Sequence, residues 1–291
     1  MGLEKVVLKS TNSYLHTRSR YGVLTMSTVG HYPTDISDAQ WEALQLLLPQ
    51  PKWHPGGPGR KPMDLRRVLN GIFYVNKTGC QWRMMPTDIG NAHTIYGYFR
   101  RWRRAGVWAR VMATLRQWAR QSQGRLPEPS ACCADSQSLK TATQGEDIGF
   151  DGHKKIKGRK RHILVDTLGL IVAVVVTAAN AADRLGLVTL LQRYCASGVK
   201  RLRKIWVDGG YQAQWLYDWV RRLKRTHKID LEVVEHTGKG FQVVKHRWKV
   251  ERTFAWLLND RRHSRDYEGL TASSEAMIQI SMIRLLLKRL A

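Results

Sequence analysis

Two patterns of apolar positions divide the chain into a helical part and a strand-rich part. Residues 34–124 carry apolar side chains at helical spacing, most clearly in the helix that follows Asp64. A shorter helix is predicted to begin after a cap at Asp35 or Ser37. The segment 120–130 is polar and contains two prolines, so we predict the domain boundary there.

The last predicted helix of this first part separates apolar from basic side chains. Its expected inward-facing residues are Ile95, Tyr96, Phe99 and Trp102, and its expected outward-facing residues are Arg100, Arg101, Arg103 and Arg104. Successive short helices that end in a basic one are typical of a helix-turn-helix-like DNA-binding domain. The alternative is that these arginines form a solvated helix face.

Short apolar or alternating runs after the boundary predict strands over 131–135, 162–166, 169–179, 204–208 and 231–236. The second and third runs are separated by three residues, which predicts a hairpin. Segments 183–196 and 212–225 look helical, and helices between later strands imply parallel crossovers. Three antiparallel strands followed by alternating helices and strands predict an α/β fold of ribonuclease H-like kind with a mixed sheet.

The charge balance points to a polyanionic partner. The chain has 48 Lys and Arg against 23 Asp and Glu, a net charge of +25 over 291 residues. The longest apolar run, 169–179, is too short for the roughly 20 residues that span a bilayer. Residues 1–30 lack the apolar segment of a signal peptide, so we expect a cytoplasmic protein without membrane contact. Residues 1–33 are expected to be a disordered N-terminal extension.

Three aspartates end predicted strands, namely Asp135, Asp166 and Asp208. A lone aspartate at such a place is usually a turn former. Asp166 fits that interpretation because the hairpin turn follows it directly. Asp135 and Asp208 have no immediate return strand. If their strands are neighbours, both carboxylates emerge at the same edge of the sheet and form a plausible pair of metal ligands.

A third acid, Glu251, lies on the predicted helix 241–258. Its neighbours at helical spacing are Trp248, Phe254, Ala255 and Leu258, so the sequence places it on a largely apolar face. An ion pair with Arg247 is the alternative, but Arg before Glu is the weaker orientation. Two aspartates and a glutamate offer oxygen ligands suited to Mg²⁺. A pair of such ions supports phosphodiester chemistry.

Four segments together resemble a known family: "ADSQSLK" (134–140), "GHKKIKGRKRHILVDTLGLIVAVVVTAANAADRLG" (152–186), "WVDGGY" (206–211) and "RWKVERTFAWL" (247–257). They are similar to the DDE-type transposases of bacterial insertion sequences, in the insertion-sequence-five group. The helical stretches "DISDAQWEALQLLLP" and "GCQWRMMP" match the same proteins. The similarity runs from about residue 34 to near the C-terminus.

The resemblance implies a helical DNA-binding domain over 34–124 and a catalytic domain over 125–291. It maps the three acids of the family to Asp135, Asp208 and Glu251, with Mg²⁺ as the cofactor and Mn²⁺ as a substitute. It also implies binding to the element's terminal inverted repeats, hydrolysis of phosphodiesters there, and attack of the 3′-hydroxyls on target DNA. The partner is double-stranded DNA in the nucleoid, and paired ends suggest a homodimer or a higher oligomer.

Further residues are assigned to DNA contact. The resemblance maps the arginine of a family signature to Arg247, whereas Val244 and Leu258 replace the usual tyrosine and lysine of that signature. The basic stretch 154–162 is expected to position backbone phosphates, although an exposed charged loop is the alternative. The DNA-binding candidates are Arg100, Arg101, Arg103, Arg104, Lys154, Lys155, Lys157, Arg159, Lys160, Arg161, Arg247 and Arg252.

Two other functions are compatible with the pattern. A silent descendant would bind DNA without cutting it, and loss of one acid would be its mark; all three acids are present. A ribonuclease H-like nuclease without strand transfer differs from a transposase, in the sequence, only through the family resemblance.

Overall fold

The computed structural model describes residues 32–58, 60–142, 144–234 and 248–290. Four helices come first in the chain. They are α1 (Asp38–Gln45), α2 (Leu65–Thr78), α3 (Ala92–Arg104) and α4 (Val107–Gln121). The predicted N-terminal extension lies outside the described residues up to position 31, and its expected disorder stays a prediction.

Local sequence explains where the first two helices begin and end. Ser37 caps α1 through a capping box with Gln40, so of the two predicted caps Ser37 is the one used. Asp64 caps α2 by accepting a hydrogen bond of 2.8 Å from the backbone N–H of Arg66. Gly79 ends α2 in the left-handed conformation at φ 73°, which glycine adopts without steric cost.

The second part of the chain alternates strands and helices. Its strands are β1 (Ala131–Lys140), β2 (Gly149–Asp151), β3 (Ile156–Asp166), β4 (Ile171–Ala178), β5 (Lys204–Val207) and β6 (Asp230–Val233). Its helices are α5 (Asp183–Ala196), α6 (Gln214–His227), α7 (Trp248–Leu258) and α8 (Thr271–Leu290). The predicted helices over 183–196 and 212–225 correspond to α5 and α6.

The strands form the mixed sheet that the sequence predicts. Its order is β2-β3-β1-β5-β6, and β4 also pairs with β3. β3 runs antiparallel to β1, β2 and β4, whereas β5 runs parallel to both β1 and β6. The helices α5 and α6 supply the crossovers into β5 and β6.

Two strand extensions, one strand and one helix were missed. β1 continues through the mostly polar residues 136–140, and β3 begins at Ile156, six residues before the predicted strand. β2 and α8 were not predicted at all. Sequence periodicity could not find the added strand residues, because many of their polar side chains are buried against partners far away in the chain.

Each face of the sheet covers its own hydrophobic cluster. One cluster joins the first four helices, α7 and α8 to one face of β1, β3 and β4. The other lies under α5 and α6 on the opposite face. The helical part and the sheet therefore share one core, and the division into two domains stays a prediction. In the described parts of the chain, every helix is too short or too polar to cross a membrane.

Candidate active site

Asp135 and Asp208 come together through the pairing of two parallel strands. β1 and β5 are paired from Ala131 opposite Lys204 to Cys133 opposite Trp206. The same register, continued by two residues, places Asp135 opposite Asp208 at the end of β5. The expectation that these two strands are neighbours is confirmed. The expectation that Asp135 ends its strand is wrong, because β1 continues to Lys140 and Asp135 is paired with Ile163 of β3.

Backbone amides orient both carboxylates. The N–H of Ser136 donates to Oδ1 of Asp135 at 2.7 Å, and the N–H of Gly210 donates to Oδ1 of Asp208 at 3.0 Å. Asp208 caps the short 3₁₀ turn Gly209–Tyr211, so it is a turn former as well as a candidate ligand. A Cβ at Gly210 would lie 3.1 Å from that same oxygen, which explains why a glycine fits here.

Glu251 lies on the helix that covers the same face of the sheet. Side chains alternate along a strand, so Asp135 shares its face with Cys133, which packs in the cluster under α7. α7 is held there by Val250, Phe254 and Leu257 and contacts β1 and β3. The three predicted acids therefore belong to one side of the sheet.

The largely apolar helix face on which the sequence places Glu251 is not buried. Glu251 is exposed, and three of the apolar residues around it, Trp248, Ala255 and Leu258, are exposed as well. The helix has apolar residues on more than one side, and the buried side is the one that carries Val250, Phe254 and Leu257. No burial penalty therefore requires a cation at Glu251.

The donor chemistry suits a hard divalent cation, although the full set is not assembled. Asp135 and Asp208 offer carboxylate oxygens on neighbouring strands, which is the ligand type that Mg²⁺ takes. Within residues 32–58, 60–142, 144–234 and 248–290, no three His, Cys, Asp or Glu residues are grouped closely enough to hold a metal ion. Glu251 is thus on the correct face but is not brought into one group with the two aspartates.

Asp166, the third strand-end acid, is a turn former as predicted. It is fully buried, and Oδ1 accepts the backbone N–H groups of Leu168 at 2.8 Å and Leu170 at 2.9 Å. Its other oxygen accepts a hydrogen bond from Arg120 on α4. This acid stabilises the β3–β4 hairpin and is closed to substrate.

The same hairpin turn fixes the helix that carries Glu251. Arg252 donates to the carbonyl of Leu168 at 3.0 Å, and Thr253 donates to the carbonyl of Gly169 at 2.7 Å. Gly169 adopts φ 79°, which permits this tight turn. The β3–β4 turn therefore fixes the position of α7 at the two residues that directly follow Glu251.

A polar network next to the two aspartates was missed by the sequence analysis. Ser136 donates to Oδ1 of Asp183 at 2.7 Å, and Lys160 lies 3.0 Å from the same oxygen. Burial alone would raise the pKa of Asp183, but these partners outweigh it and lower that pKa. The only signal in the sequence is that Asp183 opens α5, where an acid favours the helix N-terminus.

Tyr211 joins this network to the candidate site. It is 2% exposed and shares a side-chain hydrogen bond with Ser136. Burial, followed by the charges of Asp135, Asp183 and Asp208, raises the pKa of Tyr211 well above its usual range. The phenol therefore stays protonated beneath the carboxylates.

Three predicted DNA contacts are buried inside the chain. Arg159 donates to the carbonyls of Glu146, Glu268 and Gly269, and Lys160 to that of Ala181. Arg161 bonds Gln137 and lies over the ring of Phe254, and burial lowers its pKa to about 10.

The expectation that these three residues offer an exposed phosphate-binding surface is wrong, because long-range partners draw their side chains into the protein. Lys154, Lys155 and Lys157 are exposed, as expected.

Arg252 is also held by its own neighbours. Its guanidinium lies 4.4 Å from the ring centroid of Trp248 and 4.5 Å from that of Trp256. With its hydrogen bond to Leu168, Arg252 has a packing role that the sequence analysis did not predict. Arg247 and Val244 lie outside the described residues, and the assignments made for them stay predictions.

The basic helix α3 has the predicted two-sided character. Ile95, Phe99 and Trp102 are buried. The arginines Arg100, Arg101 and Arg104 are exposed. Arg103 is the exception, because it is half-buried and donates to Ser273 on α8 at 2.6 Å. A helix-turn-helix-like arrangement stays a prediction.

Similarity to known families agrees with this geometry. A family described as "Transposase DDE domain" matches residues 126–286, which contain all three candidate acids. The chain belongs to the DDE transposases of insertion sequences. A second family, described as "Putative transposase of IS4/5 family", matches residues 36–112 of the helical part. DDE transposases act on DNA and use divalent metal ions.

Two relatives from Burkholderia cepacia are similar to parts of this DDE transposase. One, "Insertion element IS402 uncharacterized 16.2 kDa protein", is 34% identical over 39% of this chain and 78% of its own length. The other, "Putative transposase for insertion sequence element IS402", is 32% identical over 36% of this chain and 51% of its own length. The chain therefore spans about half of the second relative.

Proposed function

We propose that this DDE transposase binds the terminal inverted repeats of its insertion sequence, hydrolyses phosphodiesters there and joins the ends to target DNA. The observation that carries the proposal is the register of β1 and β5, which places Asp135 opposite Asp208 on the face covered by α7. In a chain of this family and of net charge +25, a carboxylate pair carried by two neighbouring strands suits phosphoryl transfer on a polyanion.

Asp135, Asp208 and Glu251 are proposed to hold Mg²⁺, for which Mn²⁺ can substitute. The bound ions would activate the attacking oxygen and stabilise the leaving oxygen of the phosphodiester. The chain keeps its two aspartates in place through the amides of Ser136 and Gly210.

Tyr211 and Asp183 are proposed to support the two aspartates. The protonated phenol of Tyr211 lies near Asp135, Asp208 and Asp183 and shares a hydrogen bond with Ser136, which itself donates to Asp183. Lys160 places a positive charge beside Asp183, which limits repulsion among the three acids. These residues orient the ligands and do not themselves react.

Two exposed basic surfaces are proposed to hold the DNA. One is the outer side of α3 with Arg100, Arg101 and Arg104. The other is the turn that carries Lys154, Lys155 and Lys157. In the part of the chain that the structure describes, these side chains make no hydrogen bond or ion pair, although Arg100 and Arg101 lie over the rings of Tyr96 and Tyr98. They can therefore neutralise phosphates, unlike Arg159 and Arg161. Because two element ends must be paired, we propose a homodimer or a higher oligomer on DNA.

The test is an end-joining assay with the purified full chain, Mg²⁺ and DNA that carries the element's ends. We expect cleaved and joined products that disappear in Asp208→Ala. Asp218→Ala is the matched control, because Asp218 is a partly exposed aspartate on α6 whose hydrogen-bond partners Gln214 and Arg221 lie on the same helix.

Three outcomes would contradict the proposal. Binding without cleavage by the wild type indicates a silent DNA-binding protein. Cleavage without joined products indicates a nuclease that lacks strand transfer. Full activity in Asp208→Ala removes this aspartate from the reaction.

A further inference from the structure

A basic groove lies beside the β2–β3 hairpin, and we call it the hairpin groove. It encloses about 560 Å³, within the range of about 300–1,000 Å³ seen for small-ligand sites. The residues that matter for its chemistry are Lys140, Lys155, Lys157, Arg265, Phe150 and Ile148. No acidic residue lines the groove in the part of the chain that the structure describes.

The four cations of the hairpin groove are all exposed. Lys140, Lys155, Lys157 and Arg265 make no ion pair within the described ranges, whereas Arg159 and Lys160 nearby are paired with acids. Unpaired cations around one concave surface create a positive potential that an anionic ligand neutralises. Phosphate groups of nucleic acid are such a ligand.

Phe150 adds an aromatic surface to this charge. It is 57% exposed and is paired directly with Lys157 across the β2–β3 ladder, so the two side chains lie on the same face. A single exposed apolar residue is ordinary on a protein surface. An exposed ring inside a groove lined by cations is the combination that proteins use to stack bases and hold the adjoining phosphates.

The walls of the groove are fixed in advance. Arg159 donates to the carbonyl of Glu146 on one side and to those of Glu268 and Gly269 on the other. The backbone of Asp266 is hydrogen-bonded to Lys140 and Ala142. These bonds hold the segment that carries Arg265 against the end of β1. A preformed site loses less conformational entropy when it binds.

The groove lies within reach of the candidate active site. Thr141 lines it and directly follows the last residue of β1, six residues after Asp135. At about 3.3 Å per residue the separation along the strand is roughly 20 Å. That length corresponds to about six base steps of duplex DNA. One DNA molecule can therefore occupy both places.

We propose that the hairpin groove binds an unpaired nucleotide of the DNA substrate, with its base stacked on Phe150 and its neighbouring phosphates against Lys140, Lys155, Lys157 and Arg265. Stacking requires an open base face, which a duplex interior does not offer, so the ligand is a single-stranded end or a displaced base. This inference rests on the proposed function for its DNA substrate, but the binding itself does not require cleavage.

Fluorescence anisotropy tests the proposal with the full chain, without divalent metal. The two probes are a labelled blunt duplex and the same duplex with a short single-stranded adenosine extension. We expect the extension to tighten wild-type binding about 5- to 150-fold, the range of one base stacked on an aromatic ring. Phe150→Ala loses this gain, whereas Phe150→Trp keeps it.

Matched controls separate stacking from a general loss of affinity. Trp215→Ala removes another exposed aromatic side chain, on α6, and keeps the gain. Lys157→Gln lowers the salt dependence of binding to the extended probe by about one counterion, whereas Lys200→Gln leaves it unchanged.

The proposal is overturned if the extension adds no affinity to the wild type, or if Phe150→Ala keeps the full gain. Cleavage of element-end DNA is measured on the same preparation. Cleavage without a gain from the extension contradicts the hairpin groove alone. A gain that depends on Phe150, without any cleavage, contradicts the proposed function and leaves the groove as a DNA-binding site.

Discussion

Replacing Asp166 with alanine should destabilise the protein far more than replacing an exposed aspartate. Asp166 and Arg120 form a buried ion pair, with side chains 0% and 5% exposed. Asp166→Ala would leave the guanidinium of Arg120 buried without its charge partner. Arg120 would keep only its hydrogen bond to the carbonyl of Leu126. Breaking one side of a buried pair costs about 3–5 kcal/mol.

Two further hydrogen bonds are lost in this variant. The backbone N–H groups of Leu168 and Leu170 both donate to Asp166, and unsatisfied buried donors add about 1–3 kcal/mol each unless water reaches them. We therefore expect Asp166→Ala to lower the free energy of unfolding by at least about 3 kcal/mol. In Arg120→Met combined with Asp166→Ala, part of that loss should be recovered, because the unpaired charge is removed.

Urea denaturation followed by circular dichroism measures these differences. Asp38→Ala is the matched control. Asp38 also forms an ion pair with an arginine, Arg66, but the side chain of Asp38 is 87% exposed. An exposed pair contributes about 0–1 kcal/mol, so the control should stay close to the wild type. If Asp166→Ala loses no more stability than Asp38→Ala, the assignment of Asp166 to the fold rather than to the site is refuted.

Three other predictions follow from named contacts. A Cβ at Gly186 would overlap the ring of His162, so Gly186→Ala should lower stability by about 1–3 kcal/mol in urea denaturation, and no loss would contradict the packing. Burial lowers the pKa of His162 to about 4 from 6.5. As the pH drops, the unfolded chain therefore binds this proton before the folded chain does. The free energy of unfolding should fall between about pH 6.5 and pH 4, by up to about 1.4 kcal/mol per pH unit. In His162→Asn this fall should be shallower. DNA affinity should fall by about 10³-fold or more between roughly 50 and 200 mM salt if six or more phosphates are contacted, and a flat response would contradict the basic-surface argument.

Local pattern predicts the elements that carry Asp135 and Asp208, because each aspartate follows a short apolar run. The bounds of α5 could be predicted for the same reason. The pairing of β1 with β5 does not follow from local pattern, because β2, β3, β4 and α5 lie between these strands in the chain. The sequence could therefore state this pairing only as a condition.

The environment of Glu251 could not be predicted from spacing. α7 carries apolar residues on two sides, with Val250 and Leu257 on one and Trp248 and Leu258 on the other. Helical periodicity identifies both sides but does not say which one meets the sheet. Only the packing of α7 on β1 and β3 decides that Glu251 is exposed.

The burial of charged side chains in the basic stretch 154–162 could not be predicted from the sequence either. Arg159, Lys160 and Arg161 look like a surface in the sequence, yet each is buried. Arg159 donates to the carbonyl of Glu268, which is 109 residues away in the chain, and no local sequence pattern predicts this contact. The role of Asp183 was missed for the same reason, because Asp183 is on α5 and its partners Ser136 and Lys160 are on the strands β1 and β3.

The central claim is that Asp135, Asp208 and Glu251 act together on one phosphodiester. The direct test is the cleavage rate of element-end DNA with Mg²⁺ for Asp135→Asn, Asp208→Asn and Glu251→Gln. Each variant keeps the shape of its side chain and is checked for folding and for DNA binding.

We expect all three variants to bind DNA and to cleave it at least about 100-fold more slowly, because metal catalysis is worth several kcal/mol and each 1.36 kcal/mol is tenfold in rate. A folded, DNA-bound variant of any of the three that cleaves at the wild-type rate would contradict the claim.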